Sequence, residues 1–254
     1  MNPPVETTRL APSPATTTRE SDQHTTDYPY RAANRWWHNV WVVPVTLVVI
    51  SFLAYALPPY FKLDPALARI PHLHRDVWWH FPLLVGHIAF GTIALVTVVF
   101  QIIPWLRNRY PAIHRWIGRV YVFAGVLPTA LLALAITPYS AGPPGNAAAA
   151  LLWLFTTVMG YRMIRRRRVA DHRRWMIYSF ALSLQIVWGR VLLVLVLPRV
   201  PAFNFGNPNE VNLVLETVTW LGFVLNLLAA QIWLEWTARR ARRATVSAAT
   251  GDVR

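Results

Sequence analysis

The chain has 254 residues, 55% of them hydrophobic and only 14% charged, yet its formal net charge is +14. A soluble domain of this length is about one-quarter charged, so the composition excludes an ordinary soluble globule and predicts apolar spans with basic residues gathered in the connections. The lack of cysteine excludes disulfides, thiolate catalysis and Cys-based metal sites.

Residues 1–34 are rich in Pro, Ser and Thr without apolar periodicity, and read as a disordered tail. Six apolar runs follow, at 37–57, 81–103, 117–137, 147–164, 176–197 and 212–236. Each is near the roughly 20 residues that a bilayer-spanning helix requires. The fold expected is therefore an all-α polytopic membrane bundle of six transmembrane helices over 35–236, with a basic tail at 237–254. Ala54-Tyr55-Ala56 resembles a signal-peptidase site. The first run is longer than a secretory core and follows a long tail, so an uncleaved first span is expected. Pro44, Pro82 and Pro128 are expected to bend or start helices.

Lys/Arg placement sets the expected orientation. Arg107, Arg109 and Arg115 fall in the second-to-third connection, Arg165–Arg168 with Arg173 and Arg174 in the fourth-to-fifth, and Arg239, Arg240, Arg242 and Arg243 in the C-terminal tail. The stretch 138–150 is uncharged. Both termini are expected in the cytoplasm of a cell membrane. The basic residues flank apolar runs and the 13 tryptophans suit interfacial belts, so anionic lipid head groups are the expected partner and nucleic acid is not.

Laying His114 over His172 brings Arg107 onto Arg165, Arg109 onto Arg167, Ala112 onto Ala170 and Arg115 onto Arg173, each pair 58 residues apart. Two Arg-rich loops can match by chance; a parallel repeat of a two-helix hairpin also explains the match. His87-Ile88-Ala89-Phe90-Gly91, Gln101, Pro104, His114-Arg115-Trp116-Ile117-Gly118-Arg119, Tyr121, His172-Arg173-Arg174-Trp175-Met176-Ile177 and the intramembrane Arg190 resemble the bacterial membrane proteins grouped as domain of unknown function 2306. The resemblance covers about residues 87–235. It implies a multi-spanning membrane fold and supplies no reaction. The family usually carries Arg where this chain has Tyr178.

Polar residues inside spans mark candidate function because the bilayer penalises them. At helical spacing His80, His87, Ala94 and Gln101 form one stripe; so do His114, Gly118, Tyr121 and Gly125; His172, Ser179, Ser183 and Arg190; and Asn212, Glu216, Thr219 and Asn226. Inward polar faces also arise from packing alone. Depth places His87, Arg190 and Glu216 in the outer part with Asn226 deeper, predicting an intramembrane polar pocket in which Glu216 neutralises Arg190. The plain alternative is an ion pair that only fixes packing. A cytoplasmic cluster of Gln101, His114, Arg115, His172 and Arg173 could hold lipid phosphate, or a b-type haem ligated by His114 and His172. Gln101 below His87 is a poor haem ligand and weakens a two-haem conduit. His72 and His74 lack the partners of a metal site, and hydrolase and nucleotide-binding motifs are absent. Three readings remain: a solute- or proton-binding protein or transporter, a haem or quinone redox protein, and a non-catalytic membrane subunit.

Overall fold

The computed structural model describes residues 41–68, 73–74, 76–191, 197–199 and 206–251; the expected tail at 1–34 lies outside them. Among the described residues there is no strand. The helices are α1 (Val42–Ala56), α2 (His80–Ile102), α3 (Pro104–Arg109), α4 (Pro111–Val120), α5 (Leu127–Ile136), α6 (Pro143–Arg165), α7 (Val169–Ser183), α8 (Gln185–Val191) and α9 (Pro208–Gly251), with a π-helical segment, Tyr121–Val126, joining α4 to α5.

Prolines explain most of these boundaries. Pro44 and Pro82 fall in first turns, where a missing N–H costs nothing. Pro104 and Pro111 each open a helix, and extended Ile103 ends α2 before the first of them. Pro128 lies inside a continuous crossing, where it cannot donate to a carbonyl one turn earlier. The turn before it widens, and the Leu127 N–H bonds to the Val122 carbonyl five residues back. Gly125 in this widened turn lets α2 approach closely: a Cβ there would sit 2.9 Å from the Cα of Ala94.

Five helical segments are long and apolar enough to cross a membrane: Val42–Tyr60, His80–Ile102, Pro111–Tyr139, Pro143–Arg165 and Pro208–Arg243. At most 39% of the most apolar window of any of them is buried. Leu47, Phe123, Leu131, Phe155, Leu225 and Ile232 are more than half exposed, or nearly so for Phe123 at 50%. Apolar side chains turned outward on this scale call for an apolar solvent.

The expected fifth span, 176–197, is not one helix. It breaks at Leu184, between α7 and α8, and 192–196 lie outside the described residues. No proline or glycine sits at the break. Instead Asn226 of α9 donates its side-chain amide to the Ala181 carbonyl at 2.9 Å. That carbonyl is the one an unbroken helix would give to Gln185, the first residue of α8. The last helix is longer than the expected span, since α9 runs through the basic tail to Gly251.

Successive crossings place the α2–α4 connection, the α6–α7 turn and the far end of α9 together at one end, here the arginine end. Trp41 packs on Trp233 with ring centroids 6.2 Å apart, which puts the start of α1 there too. The opposite end holds the end of α1, the starts of α2, α6 and α9, and α8.

Candidate functional site

Three polar layers stack along the bundle. At the arginine end, the Gln101 amide of α2 donates to the His114 carbonyl of α4 at 2.7 Å, and His172 Nδ1 of α7 donates to the Gly160 carbonyl of α6 at 2.8 Å. Both hairpins are thus braced at the same level. Close packing is reached in each by one glycine and one long side chain, on exchanged helices. Gly118 of α4 faces Gln101, and Gly160 of α6 faces Met176 of α7, whose Sδ a Cβ would meet at 2.6 Å. His114 and His172 interact electrostatically, so they occupy one neighbourhood with Arg107 and Arg115. His114 Nδ1 is buried without a hydrogen-bond partner. Two turns away, Tyr121 and Ser179 draw the same two crossings into direct contact, and neither of the recesses described below is lined by His114 or His172.

The middle layer is a closed hydrogen-bonded ring. Trp153 Nε1 of α6 donates to the Tyr121 hydroxyl at 3.3 Å. Tyr121 meets Ser179 of α7 at 2.6 Å, and Ser179 meets Thr157 of α6 at 2.6 Å. Thr157 donates to the Trp153 carbonyl at 2.7 Å. The proton directions follow by elimination. The single hydrogen of Thr157 goes to that carbonyl, so Thr157 accepts from Ser179, and Ser179 in turn accepts from Tyr121. Every donor is used. The ring begins at an indole N–H and ends at a peptide carbonyl, neither of which exchanges a proton readily, so it locks three helices together and offers no relay. Tyr121, Thr157 and Ser179 are each at most 1% exposed.

The third layer lies at the far end. His87 Nδ1 donates to the Thr129 carbonyl at 3.0 Å. The neutral ring therefore carries its lone pair on Nε2. Arg190 of α8 interacts electrostatically with His87, and with Tyr60 and Tyr55 at the end of the first span. Among the described residues no carboxylate lies within 4.0 Å of the Arg190 guanidinium.

The expected pairing of Arg190 with Glu216 is therefore not made. Glu216 Oε1 accepts from the Gly145 N–H at 2.9 Å and from Trp220 Nε1 at 2.6 Å. The reason is local: Pro143 and Pro144 have no N–H, so Gly145 offers the first free donor of α6, and the carboxylate of α9 caps it. Oε2 is buried without a hydrogen-bond partner and packs on Gly142, which has φ +74° and no room for a Cβ. Asn226 is likewise committed to Ala181. Of the four residues expected in one pocket, His87 and Arg190 come together, while Glu216 and Asn226 serve helix ends.

Recesses of about 350 and 480 Å³ lie at opposite ends of the molecule. The first is lined by residues of α6, α7 and their turn, the second by the connection between α1 and α2 and the first turn of α2. Neither touches Arg190, Glu216 or Gln101.

Sequence reasoning missed Trp153, Thr157, Tyr55, Tyr60 and the Gly142–Gly145 cradle. One signal was available: Tyr121 and Ser179 are themselves 58 residues apart, the spacing that superposes His114 on His172.

Residues 84–234 match the family described as predicted membrane protein, DUF2306. No curated protein and no solved structure matches the chain.

Proposed function

Because the chain belongs to the DUF2306 family of predicted membrane proteins, we propose that it is a multi-pass protein that binds a small anion of the carboxylate or phosphate class at Arg190. The observation carrying this reading is that guanidinium, set within the bundle beside His87 with no acidic partner among the described residues. An unpaired arginine on a membrane helix costs at least about 2.5–3.5 kcal/mol, a cost that an arriving anion offsets.

His87 makes the binding proton-coupled. Its neutral Nε2 presents a lone pair, which repels an anion; a proton there turns it into a donor. The groups acting on it are the Thr129 carbonyl and the Arg190 cation of α8, and Arg190 in turn feels the Tyr60 and Tyr55 phenols of the first span. Anion binding is expected to strengthen as pH falls.

α7 and α8 together complete a sixth crossing in this reading, interrupted near the binding site as in many transporters. The arginine end faces the cytoplasm, by the placement of basic residues, and carries both chain ends. The paired braces and exchanged glycines support descent of α2–α5 and α6–α8 from one hairpin: α4 begins at Pro111 and α7 at Val169, again 58 residues apart. The Tyr121 ring supports a second reading, a purely structural subunit, since its polar groups are spent on one another.

The test is thermal unfolding of the detergent-solubilised chain titrated with benzoate and with inorganic phosphate, at about pH 5.5 and about pH 8. Stabilisation should be larger at the lower pH, and Arg190→Gln should weaken it roughly tenfold or more in ligand concentration. His87→Gln should leave binding but remove its pH dependence. Equal stabilisation of Arg190→Gln and the parent chain would return the protein to the structural reading.

A further inference from the structure

The recess of about 350 Å³ at the arginine end is separate from the Arg190 site and has the chemistry of a lipid seat. Met159, Met163, Arg168, Asp171, Arg174, Trp175 and Tyr178 line it. Its mouth is built by the α6–α7 turn. Arg167 adopts φ 59°, and the Arg168 N–H returns to the Met163 carbonyl at 2.9 Å, so the Arg168 side chain is brought over the end of α6. Arg174 stands on the other side, one turn into α7, with its guanidinium 6.0 Å from the Tyr178 ring centroid. Asp171 is the only acid from 165 to 178, against Arg165–Arg168, Arg173 and Arg174. It pairs with Arg168 at 2.7 Å, so of the two arginines lining the recess Arg174 is the one without a carboxylate partner within 4.0 Å among the described residues.

Behind the charged mouth the lining is apolar, with Met159, Met163 and Trp175, and it adjoins exposed apolar side chains of α6. Leu151, Phe155, Met159 and Met163 repeat every four residues on α6, forming one ridge along the helix. Leu151 is 55% and Phe155 54% exposed. Trp175 packs edge-on against Phe155, centroids 5.5 Å apart, and closes the ridge from the α7 side.

We propose that this recess binds an anionic phospholipid, with the phosphodiester between Arg168 and Arg174 and one acyl chain along the Leu151–Phe155–Met159 ridge. A free phosphate would satisfy the arginines but leave the apolar floor wet. A zwitterionic lipid would bring its own cation to a mouth already rich in guanidinium groups.

The experiment is native mass spectrometry of the full chain in mild detergent, counting retained phosphatidylglycerol, with phosphatidylcholine and soluble glycerol phosphate as comparison probes. Phosphatidylglycerol should be retained in preference to both. Arg174→Gln should lower its retention about fivefold, and Arg168→Gln with Arg174→Gln about 25-fold, at roughly the strength of one arginine contact each. Arg242→Gln with Arg243→Gln, on the C-terminal stretch of α9, should change it little. Circular dichroism checks that each variant stays helical; Arg174 is exposed, so its single variant carries the test if the double one fails to fold. Unchanged retention in Arg174→Gln, equal retention of phosphatidylcholine, or equal binding of glycerol phosphate would overturn the proposal.

Discussion

The middle ring and the Arg190 layer both set polar side chains inside a membrane fold, but they differ in how completely they are partnered. Trp153, Tyr121, Ser179 and Thr157 use every hydrogen they have, and the circuit closes on the residue where it began. Arg190 and His87 share a neighbourhood without completing each other: the cation has no carboxylate among the described residues, and the ring has one nitrogen committed. A saturated network rigidifies and specifies packing. An unsaturated one is either a loss of stability or a place waiting for a ligand. Polarity within a span therefore does not mark function by itself.

Glu216 sharpens the contrast, because it looks like the natural partner of Arg190 and belongs with the structural groups. If its role is to cap α6, the cradle beneath it must be exact in size. Gly142→Ala should be the most damaging single change, combining a Cβ at positive φ with a collision against the Glu216 carboxylate and Cα. The expected loss is roughly 3 kcal/mol from strain and overpacking, read by chemical unfolding in detergent. A stability within a few tenths of the parent would mean that Glu216 moves freely, and the distinction between the two regions would weaken.

Tyr121→Phe comes next. It removes one hydroxyl and leaves both the Trp153 N–H and the Ser179 hydroxyl short of a partner. The expected cost is about 1–2 kcal/mol, below the full penalty for buried groups because membrane hydrogen bonds are individually modest. Anion-induced stabilisation should persist in this variant. Its loss would show that the ring and the Arg190 layer are one coupled unit.

The sequence made the all-helical membrane architecture legible because apolar length and basic flanks act through composition, which needs no tertiary information. The seven-residue stripe from His80 to Gln101 was also legible: His87 bonds Thr129, Ala94 meets Gly125, and Gln101 bonds the His114 carbonyl, all on the next crossing. What could not be read was which polar groups would satisfy one another. Depth alone placed Glu216 near Arg190, but the donor that captures Glu216 is a backbone N–H exposed by two prolines, and backbone groups are invisible to a search for charge partners. Likewise nothing in 176–197 marks a break. The side chain that meets the backbone there, Asn226, sits on another helix.

That break supplies the smallest stability change expected and ties the two regions together. Asn226→Ala removes the amide from the Ala181 carbonyl, at a cost of about 1 kcal/mol for one hydrogen bond. The same carbonyl can then return to the Gln185 N–H, and α7 can run on into α8 with one helical bond regained. The regained bond offsets part of that cost, so the unfolding free energy should move by about 1 kcal/mol or less. Straightening the break rotates everything after it, however, and Arg190 lies five residues beyond Gln185. A variant of near-parental stability that binds benzoate or phosphate weakly places the function of Asn226 in aiming Arg190. Near-parental stability with unchanged binding would mean that the break persists without Asn226 and is held by the rest of the bundle.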